Sequence, residues 1–225
     1  MNVKNKIEKF FSQYKEYQFP KKYEILGPNE QVFYIYFIKE GFVRSYSISE
    51  EGSEITLNIY KSGSFFPFTL ALSDKINPHF YESLTKIEVY KAPYKDVLKF
   101  VKDDCQVLFD LTKRLSSGLE GFVLRTQFLL RTNAVQKTAS DLYLLAKRFG
   151  KNLKSGDIII ELPLTHQEIA NLTGLARETT SVILKKMEKE GIIGRKGKYW
   201  IIKNIKELKQ KSLIYIEDKA LPLSY

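Results

Sequence analysis

The stretch that decides the fold reads THQEIANLTGLARETTSVILKKMEKEGIIGRKGKYWII and spans residues 165–202. Thr165, followed three residues later by Glu168, forms a capping box, in which each side chain satisfies a free backbone N–H at a helix start. Gly174 supplies the positive φ angle that a sharp turn out of a helix requires. The pattern therefore predicts one short helix that ends at this glycine and a second helix over residues 176–190.

The predicted second helix has one face for a core and one for a partner. Spacings of three and four residues turn four side chains inward: Thr180, Ile183, Leu184 and Met187. Polar side chains remain outside, mostly toward the N-terminal end: Arg177, Glu178, Ser181 and Lys185. Arginine and carboxylate side chains are types that contact DNA bases and phosphates.

A hairpin with a cationic tip is predicted after Gly191. Short strands at residues 192–193 and 199–202 flank the sequence Arg-Lys-Gly-Lys at 195–198. Two crossed helices followed by such a hairpin are typical of the winged helix-turn-helix, a DNA-binding motif. An ordinary pair of crossed helices beside a hairpin would leave the cationic tip and the polar outward face unexplained.

The charge distribution agrees with a polyanionic partner. The 225-residue chain has a net charge of +10, and residues 134–225 hold 17 basic and 10 acidic side chains, against 19 and 16 in residues 1–133. A basic domain favours nucleic acid or an acidic membrane face, because neutralised phosphates release condensed counterions.

Composition excludes several classes of protein. With 44% apolar and 28% charged residues the chain is typical of a globular protein, and without an apolar run of about 18 residues we expect no membrane span and a cytoplasmic location. Cys105 is the only cysteine and there are two histidines, so we expect no disulfide, no metal site and no cofactor. No nucleophile–base pair or phosphate-binding loop is evident, which argues against an enzyme.

The front of the chain has the pattern of an antiparallel roll or barrel. Short β-branched and aromatic runs are separated by regular turns. They lie at residues 31–38, 42–48, 54–60 and 86–91. A short helix over residues 4–17 is expected to pack on this roll.

One long amphipathic helix is predicted over residues 103–133, where proline is absent. Its apolar side chains recur at three- and four-residue steps. They are Leu108, Leu111, Leu115, Leu119, Phe122 and Leu129. Two glycines in its middle, Gly118 and Gly121, each cost about 1 kcal/mol relative to alanine, so we expect close packing of a parallel helix from a second copy. The alternative is a helix that lies along its own barrel.

The sequence therefore predicts an α+β protein with three parts. Residues 1–102 form an N-terminal antiparallel β-roll or barrel, and residues 103–133 form the dimerisation helix. Residues 134–225 form a winged helix-turn-helix domain with a C-terminal tail; this part opens with a helix over 134–149 and a polar linker over 150–157.

Residues 164–202 resemble the DNA-binding domain of CRP/FNR-type bacterial transcription regulators, above all in Gly-Leu-Ala-Arg-Glu-Thr at 174–179. The order of β-rich front, long helix and winged helix also matches that family. The resemblance implies that Arg177 and Glu178 read bases. The full set of expected DNA-binding residues is Thr165, Arg177, Glu178, Thr179, Ser181, Lys185, Arg195 and Lys198. A second arginine, common in the family five positions after the first, is Val182 here, so the usual half-site does not carry over.

The front domain departs from the cyclic-nucleotide-binding members of the family. Those members hold the ribose with a Gly-Glu pair and the phosphate with an arginine and a small hydroxyl residue. The corresponding segment has Pro67 and Phe68 where Gly and Glu would stand, and residues 76–82 contain no arginine. A buried phosphate without a cation costs several kcal/mol, so cyclic AMP is not the expected effector.

Aromatic side chains dominate this region instead. They are Phe65, Phe66, Phe68, Phe80 and Tyr81. Either they fill the roll, or they line a pocket for an unknown apolar or aromatic effector. Both alternatives fit the sequence.

We expect a homodimeric, sequence-specific DNA-binding regulator whose sensor domain biases the placement of two winged helices. Its expected partners are double-stranded DNA, a second copy, RNA polymerase and an unknown small-molecule effector. One alternative is the same DNA binder without an effector. Another is a basic protein-interaction module that binds an acidic partner or a membrane.

Overall fold

The structure, a computed structural model, describes residues 2–73, 75–131, 133–212 and 214, and for residue 131 the backbone alone. The predicted C-terminal tail thus falls mainly outside the described residues. The chain forms two compact units, one of residues 2–49 and 56–115, the other of residues 50–55 and 116–214. The division falls inside the long helix.

The first unit contains the β-rich part of the chain. Its elements are α1 (Val3–Phe11), β1 (Glu16–Phe19), β2 (Glu24–Leu26), β3 (Tyr34–Glu40), β4 (Val43–Ile48), all but the first two residues of β5 (Glu54–Tyr60), β6 (Phe65–Phe66), α2 (Phe68–Ser73), β7 (Phe80–Ser83), β8 (Ile87–Pro93), α3 (Tyr94–Asp103) and the start of α4 (Cys105–Arg131). The predicted helix over residues 4–17 is shorter, because the chain leaves α1 and pairs β1 with β8.

Two four-stranded sheets form the predicted roll. Their strand orders are β1-β8-β3-β6 and β2-β7-β4-β5. The longest pairing is antiparallel, between β3 and β8, and it sets Ile35 opposite Ala92 and Ile38 opposite Val89. These four side chains are buried in one core together with residues of α1, α3 and α4, so this pairing lies within the core of the first unit.

The helix α4 presents different side chains to core and solvent. Val107 and Leu111 are buried in the core of the first unit. Asp104 fixes the start of the helix: its carboxylate accepts hydrogen bonds from the backbone N–H groups of residues 106 and 107 and pairs with Lys6 at 2.7 Å. Of the predicted stripe, Leu108, Leu115, Leu119 and Phe122 are exposed, and Leu129 is half-buried.

The second unit contains the helix-turn-helix. Beyond α4 its elements are α5 (Ala134–Phe149), β9 (Gly150–Asn152), β10 (Ile158–Ile160), α6 (His166–Thr173), α7 (Arg177–Lys189), β11 (Ile193–Lys196), β12 (Tyr199–Ile202) and α8 (Ile205–Lys211). The strands form one sheet in the order β11-β12-β10-β9. Helix α5 packs against α6, α7 and α8, and the α+β prediction is confirmed.

The segment predicted as a linker contains β9, which pairs with β10. The strand follows α5 without an intervening loop. A Cβ atom at Gly150 would lie 1.9 Å from the carbonyl oxygen of Ala146, so this direct change from helix to strand requires glycine.

Candidate nucleic-acid interface

The corner between α6 and α7 forms as the sequence predicts. Thr165 caps α6: its hydroxyl accepts from the N–H of Glu168 at 3.1 Å, and the Glu168 carboxylate accepts from the N–H of Thr165. Gly174 has φ 66° and its N–H donates to the carbonyl of Ala170. Without a Cβ, glycine adopts this left-handed conformation at little cost, and α7 starts three residues later.

Helix α7 divides its residues as predicted. Its buried residues are Thr180, Ile183, Leu184 and Met187. Most of the predicted DNA-binding residues of the helix are exposed: Arg177, Glu178, Thr179 and Lys185. The fifth, Ser181, is half-buried. The helix thus offers solvent a mixed cationic and carboxylate surface at its N-terminal end.

A hydrogen bond joins the two helices on their outer side. His166, the first residue of α6, lies with Nδ1 2.9 Å from the hydroxyl oxygen of Ser181 on α7. Burial lowers the pKa of His166, and the positive charge of Arg195 lowers it further. Both effects favour the neutral ring, and the side chain of Ser181 is hydrogen-bonded to it.

The wing is built on Trp200, which is fully buried and donates its Nε1–H to the carbonyl of Leu164 at 2.8 Å. The guanidinium carbon of Arg195 lies 3.8 Å from the centroid of the Trp200 ring. The His166 ring stacks on the same tryptophan, with centroids 5.5 Å apart. A stacked guanidinium retains its N–H groups for other contacts, so the tryptophan fixes the position of a cation at the edge of the motif.

The tip of the wing adds a second cation. Gly197 makes the turn with φ 59°, and Lys198 beside it is exposed, with Nζ 5.3 Å from the centroid of the Tyr199 ring. Arg195, Lys196 and Lys198 are all exposed. Thr165, the N-cap of α6, is exposed as well. The predicted DNA-binding residues of α6, α7 and the wing therefore all lie in the second unit.

The C-terminal half of α4 is attached to this domain through Arg125. Its guanidinium donates to the carbonyl of Leu172 in α6 and lies 3.9 Å from the carboxylate of Asp141 in α5. Burial raises the pKa of Asp141 to about 6, while Arg125 acts in the opposite direction. One arginine thus joins three helices, an arrangement that the sequence patterns do not indicate.

The aromatic residues of the first unit pack against one another. Phe66, Phe68 and Tyr81 are buried in its core, while Phe65 and Phe80 are half-buried. The rings of Phe66 and Tyr81 stack with centroids 5.3 Å apart, and Phe65 meets Phe68 edge to face at 5.3 Å. The sequence left open whether these rings fill the roll or line a pocket for an effector. Their packing against one another favours a filled interior.

Two family models match the chain: one match ends before α4, and the other begins in the last turn of α4. The cyclic nucleotide-binding domain matches residues 16–104, and the Crp-like helix-turn-helix domain matches residues 128–211. The fumarate and nitrate reduction regulatory protein of Yersinia pestis is 32% identical over 177 residues, which are 78% of this chain and 70% of that protein. The chain belongs to the CRP/FNR family. It is a DNA-binding transcription regulator, and double-stranded DNA is its partner.

Solved structures share the fold of this CRP/FNR regulator. FixK2 from Bradyrhizobium japonicum is 23% identical, with a TM-score of 0.76, and the match covers 88% of this chain and 97% of that one. A CRP/FNR-family transcriptional regulator from Thermus thermophilus is 25% identical, with a TM-score of 0.70 and coverage of 88% and 98%.

The described residues of this CRP/FNR regulator include neither a membrane-spanning helix nor a group of side chains suited to a metal ion. Among those residues no helix is long and apolar enough to cross a membrane. Within the same part of the chain, no three side chains from His, Cys, Asp and Glu are grouped so that they could hold a metal ion.

Proposed function

We propose that the regulator binds DNA as a homodimer and that α7 of each copy enters a major groove. The observation that supports this most directly is the exposed pair Arg177 and Glu178 at the start of a helix whose opposite face is buried. A guanidinium fork matches the O6 and N7 acceptors of guanine, and a carboxylate accepts from the N4 amino group of cytosine. This pair would therefore read neighbouring positions of each half-site.

The remaining predicted residues would contact the DNA backbone or support the register. Arg195 and Lys198 flank the duplex from the wing and supply phosphate contacts, which position a protein without reading sequence. Lys185 lies two turns into α7, where it can reach a phosphate at the groove edge. Thr165 and the hydroxyl groups of Thr179 and Ser181 complete the proposed interface.

Dimerisation is proposed to use the exposed stripe of α4. Leu119 and Phe122 are each 66% exposed, one helical turn apart, and Leu108 and Leu115 extend the same stripe. Apolar side chains at alternating three- and four-residue steps fit a parallel coiled-coil contact with a second copy. Leu111 is buried within its own unit, so the proposed contact uses the neighbouring leucines.

The first unit is proposed as a sensor that does not respond to cyclic AMP. Pro67 and Phe68 occupy positions where ribose contacts would be needed, and Phe68 is buried. An apolar effector would have to displace stacked rings. That packing also favours a second candidate, a regulator controlled by its abundance alone. In either case the protein would act in the cytoplasm and contact RNA polymerase.

The test is selection of bound sequences from a random duplex pool with the full-length protein. We expect inverted repeats with half-sites one helical turn apart, about 34 Å, and an affinity that falls steeply with salt. Salt-dependent binding without any enriched sequence would contradict the proposal. That result would favour a basic module that binds acidic partners.

A further inference from the structure

An exposed apolar residue stands out on the proposed recognition helix. Val182 is 68% exposed. Among the described residues from 133 onward, every other large apolar side chain is at least half-buried. Single exposed apolar residues are common on protein surfaces and need no explanation in general. The position of Val182, however, places it among the side chains proposed to face DNA.

The helical spacing defines that position. Val182 lies one turn after Glu178 and three residues before Lys185, and both neighbours are exposed. Positions three and four apart share a face, so Val182 lies on the outward line of α7, opposite the buried Leu184 and Met187. In a groove-bound helix, a side chain between a base-contacting carboxylate and a lysine faces base edges.

We propose that Val182 determines specificity by contacting the C5-methyl group of a thymine in each half-site. This inference rests on the proposed role of α7. Thymine presents an apolar methyl group in the major groove, whereas the polar edges of guanine, adenine and cytosine need hydrogen-bond partners. Valine has neither donor nor acceptor in its side chain, so it would leave such edges desolvated and unsatisfied. A T·A pair is the base pair that suits this residue.

The shape of valine adds to the selectivity. A β-branched side chain has one strongly preferred χ1 rotamer in a helix, so its two methyl groups keep a fixed direction at little further entropic cost. Burial of one methyl group of thymine against them would strengthen binding about fourfold per half-site. Because the two half-sites are separate, the effects multiply to about fifteenfold per operator.

The experiment replaces single thymines by deoxyuracil, which removes the methyl group and keeps all hydrogen-bonding groups. Each thymine of the selected half-site is changed in turn, in both half-sites together, and affinity is measured for the wild type and for Val182→Ala. We expect one position at which deoxyuracil weakens wild-type binding about fifteenfold. Val182→Ala should show a clearly smaller difference between the thymine and deoxyuracil duplexes at that position, because its one remaining methyl group lies farther from the base.

The matched control is Lys186→Ala, which changes another exposed residue of the same helix. It should retain the full difference between thymine and deoxyuracil. Helix content by circular dichroism checks that Val182→Ala is folded, as expected for an exposed site where alanine is a better helix former.

Three results would overturn the inference. Wild-type affinity that is unchanged by deoxyuracil at every position would exclude a methyl contact. A thymine preference that survives undiminished in Val182→Ala would assign the contact to another residue. Either result leaves sequence-specific binding of the wild type intact, so it is distinct from a failure of the proposed function. A selection that yields no enriched sequence would overturn both.

Discussion

At the scale of single residues, the interface depends on side chains that other side chains hold in place. Ser181 is oriented by His166, and Arg195 is stacked on a buried tryptophan. Arg177 and Glu178 are exposed at the start of α7 without such a constraint among the described contacts. This difference suggests that the wing is preorganised, whereas Arg177 and Glu178 adjust their side chains as they meet the bases.

Loss of the proposed base-contacting arginine and loss of a wing lysine should affect DNA binding differently. Arg177→Ala should cost about 1–3 kcal/mol on the selected duplex and relax preference at one position of each half-site, because a bidentate base contact is lost. Lys198→Ala should weaken all duplexes similarly and make the salt slope shallower by about one unit per contact. Salt titrations of both variants on selected and scrambled duplexes measure this. Equal weakening of both duplexes by Arg177→Ala would show that α7 is not the recognition helix.

The buried carboxylate of Asp141 should make stability depend on pH. Its pKa is raised to about 6, so the native domain binds this proton more tightly than the unfolded chain does. The resulting stabilisation is present in acid and is lost as the pH rises through about 6. Relative to Asp141→Asn, the wild type should therefore lose free energy of unfolding with increasing pH, by at most about 1.4 kcal/mol per pH unit.

Urea unfolding followed by tryptophan fluorescence measures this effect, because Trp200 is the only tryptophan of the chain and is buried in the same domain. Glu120→Gln, which removes an exposed carboxylate of α4, is the matched control and should follow the wild type. Parallel pH profiles for the wild type and Asp141→Asn would refute a perturbed carboxylate.

At the scale of elements, the spacing of apolar residues predicted the helices that have a continuous buried face. Helix α5 has the predicted bounds, and the buried set of α7 is the predicted one. Strands such as β1 and β9, of four and three residues, are too short to show an apolar period. They form because each pairs with a neighbouring strand, which the local sequence does not reveal. The pair Arg195 and Trp200 lies in register across the hairpin, so the turn at Gly197 could have indicated it. The contact of His166 with Ser181 depends on how α6 crosses α7, which no local pattern encodes.

The exposed stripe of α4 should hold the dimer together. Leu115→Glu with Phe122→Glu should yield monomers in light scattering, because two charges per helix would be buried against each other in the contact. Ser116→Glu with Gln127→Glu, at exposed positions beside the stripe, provides a control with the same number of added carboxylates and should remain dimeric. If the variant with Leu115→Glu and Phe122→Glu is still a dimer, the interface lies elsewhere.

At the scale of the whole molecule, α4 belongs to both units: its residues up to 115 cluster with the roll and those from 116 with the winged helix. An effector can alter DNA affinity only through a difference in its own affinity for two arrangements of the dimer. That coupling is reciprocal, so a ligand that changes DNA binding must itself bind differently when DNA is present. A small molecule can therefore act through the first unit only if it binds to the roll.

Cyclic AMP and cyclic GMP should fail this requirement. In the proposed correspondence with the family, Pro67 and the buried Phe68 stand where ribose contacts would be needed, and a phosphate buried there without a cation would cost several kcal/mol. Calorimetry should detect no binding of either nucleotide at micromolar concentrations, and the affinity for the selected duplex should be the same with and without them. Because coupling is reciprocal, the calorimetric titration is repeated on the protein–DNA complex, which would reveal a site that forms only when DNA is bound. Micromolar binding with one nucleotide per chain, in either state, would mean that the stacked rings of the roll rearrange to admit a nucleotide.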